Sequence, residues 1–424
     1  MNTSHQPVER AAFQEPWRML ACLLLAQLLV AFIGRSVGPL GVLIGEDLEL
    51  SKSQIGMLPA ALFLGQALAS IPVGFIVDQT GAKTLLLLIS LCVGCSFILM
   101  TFSHQFGFIL LLVVIGGLGY GAMHPVTNRG IIHWFQRTQR GFAMGIKQTG
   151  ITTGSALAGL VLLPLASIYG WRNVVAIACL LLIIGGIISC SIYHDSIKET
   201  NNQKESQRFS FLHSMKNMLT NKPLILVSIS AMGLSGSQLC LVTYIVIYCY
   251  EYLNISLFLS GVLLVISEIF GSIGRIVWGL ISDRLFKGKR VIVLIIISVI
   301  SGLSSIILAY LPPYTGFEPM IPITMVFGFA ISGFNAIWMN VASEVVDTKI
   351  SGLSSGFSIT LGSFGVIILP PFFGFIVDFF RSFTAGWLAI AGVMVLVFFL
   401  LCLLMLELKK SGTLGLAANE RRME

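Results

Sequence analysis

Long apolar runs separated by short polar breaks organise the chain from end to end. Crossing a hydrocarbon layer of ~30 Å takes about 20 mostly apolar residues in an α-helix. Twelve runs of that order can be placed, over residues 17–44, 54–77, 84–102, 106–135, 142–169, 173–193, 224–250, 257–281, 291–311, 320–346, 353–379 and 384–406. The polar stretch 194–223 cannot cross lipid and divides them into two sets of six, 17–193 and 224–406, with polar terminal segments at 1–16 and 407–424. The pattern predicts an all-α integral membrane protein with twelve transmembrane helices in two six-helix halves.

Composition strengthens this reading. With 56% hydrophobic and 11% charged residues and a mean hydropathy of +0.91, the 424 residues carry more apolar surface than a soluble core can bury, so the surplus must face lipid. A net charge of +7 would suggest nucleic acid in a soluble protein. Here the basic residues report orientation. Lys52, Arg172 and Arg381 fall outside and Arg35, Arg129, Lys147 and Arg275 fall within runs when both termini and the central loop are assigned to the cytoplasm. The rest of the 26 Lys and Arg then lie on the cytoplasmic side, as the positive-inside rule requires. A multi-pass protein of the cell membrane is expected, the inner membrane if the source is bacterial, with the bilayer as partner and no nucleic acid. The polar first sixteen residues show no removable secretory signal, and the first helix is expected to direct insertion. All 8 cysteines lie in apolar runs, where a thiol packs as a small hydrophobe.

The halves echo each other. Gly74-Phe-Ile-Val-Asp78-Gln-Thr-Gly81-Ala-Lys83 follows the second run, and Gly279-Leu-Ile-Ser-Asp283-Arg284, with Lys287, Lys289 and Arg290, follows the eighth. An Asp at the C-terminal end of its own helix opposes the macrodipole and needs a neighbouring helix N-terminus or a basic residue to stabilise it. The Gly one turn earlier would admit a close helix contact. Such a contact can latch one state of a two-state machine, and Glu344, near the inner end of the tenth run, is assigned to the same latch. The pattern Gly374-Phe-Ile-Val-Asp378 recurs at the end of the eleventh run, on the opposite side, so local identity alone is not diagnostic. The paired motifs, the six-plus-six layout and the basic central loop resemble the major facilitator superfamily over nearly the whole chain. So do Arg140-Gly-Phe-Ala-Met-Gly145, Gly154, Gly159 and Gly170-Trp171-Arg172. The resemblance implies alternating access to a central site.

Charges at bilayer depth are costly and usually face a protein interior or a water-filled cavity, which makes them the candidate site. Arg35 lies in Gly34-Arg35-Ser36-Val-Gly38-Pro39 with no acidic residue within one turn, and its guanidinium suits a carboxylate, sulfonate or phosphate. Outward snorkelling or a pair with an acid on another helix is the alternative. The fourth run contributes His124, Asn128 and Arg129, and the fifth Lys147 and Gln148. For Arg129 an interfacial or gating role is the stronger reading, and Lys147 reads equally as a structural, snorkelling residue.

These segments are similar to the anion:cation symporter group of the superfamily, with Pro125-x-x-Asn128-Arg129 and Trp134-Phe135 as further matches. The resemblance implies organic anions, including sugar acids, as substrates and binding of the anion by the first-helix Arg. Two positions depart from the pattern. The Asp that often precedes this Arg is Gly34, and the position of a proton-coupling Glu in relatives is Tyr120, which argues against proton coupling by that route.

In the second half, Arg275 in Arg-x-x-x-Gly resembles the carboxylate-binding Arg of monocarboxylate and oxalate carriers, and packing ahead of the loop is its other reading. Glu268 and His124 are the proton-coupling candidates, with a permanent ion pair and a satisfied interior imidazole as their respective alternatives. Tyr244, Asn335 and Trp338, with Gln238 and Asn340, add hydrogen-bonding and aromatic surface for a polar ligand.

No phosphate-binding loop, zinc-type spacing or nucleophile elbow occurs, so no enzyme, cofactor or metal is expected. The reading is a secondary transporter for a small organic anion, proton-coupled or exchange-driven, most simply a monomer. The alternatives are a drug-efflux antiporter, which would want a more acidic, aromatic cavity, and a non-transporting membrane sensor on the same scaffold.

Overall fold

A computed structural model of the chain describes residues 6–136, 139–194, 218–346 and 351–410. Most of the predicted central loop, 195–217, and parts of both terminal segments, 1–5 and 411–424, lie outside the described residues. The described chain is helical almost throughout: α1 (Gln6–Gly34), α2 (Gly41–Asp47), α3 (Lys52–Thr80), α4 (Ala82–Thr101), α5 (Phe106–Trp134), α6 (Arg140–Leu157), α7 (Leu163–Tyr169), α8 (Trp171–Ile192), α9 (Lys222–Ile247), α10 (Leu257–Arg284), α11 (Arg290–Ala309), α12 (Phe317–Ile331), α13 (Asn335–Glu344), α14 (Ser351–Phe380) and α15 (Phe383–Lys410). Ten helical spans among the described residues are long and apolar enough to cross a membrane. Their apolar faces are double, as lipid demands. On α8, Val174, Val175, Ala178 and Leu182 are buried, while Ile177, Leu181, Ile184 and Ile188 form an exposed stripe at helical spacing.

Three predicted runs differ in detail. The first, expected as one helix over 17–44, ends at Gly34 and passes through a tight turn, Arg35–Val37, before α2. Gly34, Gly38 and Gly41 weaken the helix there, and Pro39 has no N–H to continue it. The fifth, 142–169, is interrupted by a π turn at Ala158–Leu162 between α6 and α7. The tenth, 320–346, is two helices, because α12 stops at Ile331 and α13 begins at Asn335. Gly333 in the intervening turn lies against Phe329 and Trp278, where a Cβ would collide with both.

By internal contacts the chain forms two compact units, Met1–Glu49 with Ala61–Lys198, and Leu50–Ala60 with Glu199–Glu424. The start of α3, as far as Ala60, therefore belongs to the second unit and the remainder to the first. In unit 1, α1 packs on α6 and α8, and α4 on α5 and α8. In unit 2, α9 packs on α14 and α15, and α11 on α12 and α15. This is the same pairing pattern among corresponding helices. It extends to glycine-mediated crossings: Gly65 and Gly117 bring α3 against α5, and Gly271 and Gly328 bring α10 against α12, each where a Cβ would meet the partner backbone. In lipid, helices gain nothing hydrophobic by associating, so close backbone approach supplies the packing.

Turn chemistry repeats as well. Gly81 and Gly288, the residues between α3 and α4 and between α10 and α11, have φ of 82° and 79°, a region that side-chain-bearing residues avoid. Asn221 caps α9, its side chain accepting from the Leu224 N–H at 2.9 Å with Pro223 in the first turn.

Candidate functional site

In unit 1 the break after α1 sets the geometry. Arg35 opens the tight turn and its Nε donates to the Tyr120 hydroxyl of α5 at 3.1 Å. Its guanidinium lies over the Phe63 ring of α3, 5.9 Å from the centroid, within cation–π range. Phe63 and Tyr120 meet edge to face at 6.0 Å. Tyr120 is buried, and Gly34 is the residue that admits it: a Cβ at position 34 would stand 2.6 Å from the ring.

One turn along α3 from Phe63, and therefore on the same face, the Gln66 Oε1 is buried with no hydrogen-bond partner among the described residues. A buried amide oxygen in this state still wants a donor.

Lys147 of α6 is only 2% exposed. Its Nζ donates to the Asn128 Oδ1 of α5 at 2.6 Å, and among the described residues Lys147 forms no ion pair. A cation held at depth by a neutral carbonyl is incompletely compensated, so an anion beside it is favoured. His124 stands within electrostatic reach of both Lys147 and Arg35. Thr127 and Gln27, both buried, meet at 3.3 Å on adjoining turns of α5 and α1. Arg35, His124, Asn128 and Lys147 thus gather in one region of unit 1. Arg129 is half-buried in α5 and Gln148 is exposed on α6.

Unit 2 uses its polar residues differently. Where α12 breaks, the Ser332 carbonyl accepts from Arg275 Nε at 3.2 Å and from Asn335 Nδ2 at 3.3 Å, and Asn335 also reaches Gln238 at 3.3 Å. Backbone carbonyls released from a helix need such donors. Trp338 stacks on Phe334 and donates to Ser358 at 2.8 Å, and Ser228 donates to the same hydroxyl. Glu268 is buried within α10. Tyr244 stands apart from this group: its hydroxyl lies 2.8 Å from the carbonyls of Lys52 and Pro370.

The helix-end motifs also fall into place. The side chains of Gly74 and Asp78 lie outside the described residues, whereas Gly81 holds its turn and Lys83 enters the first turn of α4. At the end of α10, Arg290 pairs with Asp283 at 3.6 Å and with Glu344, joining the two acids through one guanidinium. Arg284 is exposed. Gly279, expected to admit a close helix contact, has open space where its Cβ would be; Gly274 takes that part, against Phe329 and Gly333.

At the end of α14, Asp378 accepts from the backbone N–H groups of Lys52 at 2.9 Å and Ser53 at 2.8 Å, capping α3 from another helix. Lys52 Nζ pairs with Glu251 at 2.6 Å. Sequence reasoning did not find Phe63 or Gln66. Their only signal was position, two polarisable side chains one turn apart in an otherwise aliphatic run.

A family model described as Major Facilitator Superfamily matches residues 23–363. The chain is similar to the hexuronate transporter of Bacillus subtilis, 26% identical over 369 residues that cover 83% of this chain and 86% of that one. It is also similar to the membrane sensor protein UhpC of Escherichia coli, 24% identical over 73% of this chain and 74% of that one. Among solved structures, a bacterial homolog of the human lysosomal transporter Spinster, in an inward-facing unoccupied conformation, superposes with a TM-score of 0.77 at 16% identity. That match covers 92% of this chain and 97% of that one.

Proposed function

The chain belongs to the major facilitator superfamily, a multi-pass membrane transport protein and not an enzyme, and from that premise we propose that it moves a small organic anion of the carboxylate or sugar-acid class. The observation that carries this reading is the buried Lys147, which among the described residues bonds to the neutral Asn128 and forms no ion pair, in the region of unit 1 that also holds Arg35 and His124. A carboxylate entering there supplies the missing negative charge and leaves with it, which suits a carrier better than permanent neutralisation would. The hexuronate transporter of Bacillus subtilis, named for a sugar acid, supports the same class.

The transport cycle on this reading is alternating access driven by a gradient, by proton symport or by exchange, with Glu268 and His124 as the groups to carry a proton. Twelve spans in two six-helix halves, both termini and the loop 194–223 in the cytoplasm, and a monomeric state complete the proposal. The cluster of Asp283, Arg290 and Glu344 serves as its latch at the cytoplasmic ends of α10, α11 and α13. Arg275 and Asn335 support the break between α12 and α13 through their hydrogen bonds to the Ser332 carbonyl.

The similarity to a membrane sensor protein favours one second reading, in which ligand binds without flux. A drug-efflux antiporter for lipophilic cations is disfavoured by the cations gathered in unit 1.

The test is the thermal stability of purified wild type, Arg35→Ala and Lys147→Ala against D-glucuronate, D-galacturonate, inorganic phosphate, glucose and tetraphenylphosphonium. Sugar acids are expected to stabilise the wild type, with each alanine variant binding about 10- to 100-fold more weakly, the worth of a charge-assisted hydrogen-bonding group. Stabilisation by tetraphenylphosphonium and by no anion would overturn the reading. Anion binding without uptake into proteoliposomes would give the sensor.

A further inference from the structure

We propose that Tyr120, in the space that Gly34 leaves open, is the positioning residue that sets how Arg35 receives an anion. The inference rests on the anion site assigned above to unit 1 and concerns its geometry.

A guanidinium offers a planar oxyanion two bidentate edges, one formed by Nε with an Nη and one by the two Nη atoms. Tyr120 engages the first of them: its hydroxyl accepts from Nε at 3.1 Å, which fixes the plane and direction of the guanidinium. The Phe63 ring, 5.9 Å beneath the guanidinium carbon, adds a second restraint, and the edge-to-face contact between Phe63 and Tyr120 ties the two restraints together. The torsional freedom of a long side chain is thus restricted before the anion arrives, which lowers the ordering cost of binding.

The position of the tyrosine ring is itself conditional. A Cβ on residue 34 would lie 2.6 Å from Cδ2 and 3.0 Å from Cε2 of Tyr120, closer than carbon atoms approach. Tyr120 is 2% exposed and has no room to retreat without moving its neighbours. Gly34 and Tyr120 therefore act as one unit: the glycine makes room for the ring, and the ring aims the arginine that follows the glycine in sequence. The device acts on affinity for anions, because an already oriented guanidinium gives its charge-assisted hydrogen bonds to a carboxylate or a phosphate, which a neutral sugar cannot match in strength.

The experiment uses the full chain in proteoliposomes and in detergent, with D-glucuronate and inorganic phosphate as probes and Tyr120→Phe, Gly34→Ala, Arg35→Lys and Arg35→Ala as variants. Tyr120→Phe keeps the ring and removes the acceptor. It is expected to raise Kd and KM for D-glucuronate about tenfold, with the maximal rate within about twofold of wild type and a melting temperature close to it. Gly34→Ala, by pushing the ring away, is expected to shift KM the same way, and combining it with Tyr120→Leu is expected to remove its added effect. Arg35→Lys, which keeps the charge and loses the fork, is not expected to restore wild-type affinity.

A Tyr120→Phe protein with lowered melting temperature but unchanged Kd would make the tyrosine structural and overturn the inference. So would wild-type affinity in both Tyr120→Phe and Gly34→Ala while Arg35→Ala loses binding, an outcome that leaves the anion site standing. Wild-type affinity in Arg35→Ala, or no binding of either probe to the wild type, would overturn the site and this inference together.

Discussion

Two helices of unit 2 finish on the same five-residue spacing, Gly279-Leu-Ile-Ser-Asp283 in α10 and Gly374-Phe-Ile-Val-Asp378 in α14, and the fold treats them in opposite ways. Each Asp sits where its own helix dipole disfavours it. Asp283 finds a basic residue, Arg290, at 3.6 Å, and remains more than half exposed. Asp378 finds a helix N-terminus and accepts two backbone hydrogen bonds from α3. The glycines differ accordingly. A Cβ at Gly279 meets nothing, while one at Gly374 would collide with the Lys52 carbonyl and the Ser53 nitrogen. The lesson is that a motif of this kind acquires its role from the helix end presented to it. An exposed ion pair contributes little, and an aspartate bonded to two amide donors contributes more.

The sharpest way to break the comparison is at the glycines. Gly374→Ala is expected to cost ~3 kcal/mol, the upper end for overpacking, because the atoms it meets are backbone and cannot swing away. Gly279→Ala is expected to be neutral or to stabilise by up to about 1 kcal/mol, as alanine does in an open helix position. Denaturation of the purified variants in detergent micelles measures both, and equal effects would erase the distinction.

Next come the acids. Asp378→Ala is expected to lose ~2 kcal/mol, two charge-assisted hydrogen bonds offset by relief of the dipole of α14. Asp283→Ala should stay within about 0.5 kcal/mol of wild type, since an exposed pair at this separation contributes little. Raising the salt concentration separates them further, screening the Asp283–Arg290 pair and barely touching the capped amides.

The α3 end that Asp378 caps has a further partner in Tyr244, whose hydroxyl lies between the carbonyls of Lys52 and Pro370 beside Gly56. Tyr244→Phe should cost ~1 kcal/mol, because the carbonyls remain within helices and the ring still packs on Phe373. If Tyr244→Phe instead abolished D-glucuronate binding at unchanged stability, this tyrosine would belong to the substrate site rather than to the clasp around Lys52.

The cationic character of unit 1 was legible in the sequence, since Arg35, His124, Asn128 and Lys147 stand out as polar residues in apolar runs, and the fold gathers them. Their partners were not. Tyr120 is 85 residues from Arg35, and its place beside the guanidinium depends on how α5 and α3 meet the break after α1. Tyr244 illustrates the converse: a tyrosine in a predicted span reads as ligand surface, yet its hydroxyl serves two backbone carbonyls. The tenth run reads as one continuous apolar segment, and its break between Ile331 and Asn335 follows from the packing of Gly333 and the donors that converge on Ser332.

What the sequence determined by itself was the all-α character, the placement of the apolar runs and the excess of cations over acids at depth. These follow from local composition, because a helix satisfies its own backbone and lipid selects on length and hydropathy alone. What the tertiary structure decided was which side chain serves which: Asp378 over Asp283 as a helix cap, Tyr120 as the partner of Arg35, Asn128 as the partner of Lys147. Between helices in lipid there is no hydrophobic pattern to read, so partnership is set by where glycines let backbones approach, and that becomes visible only once the helices are packed.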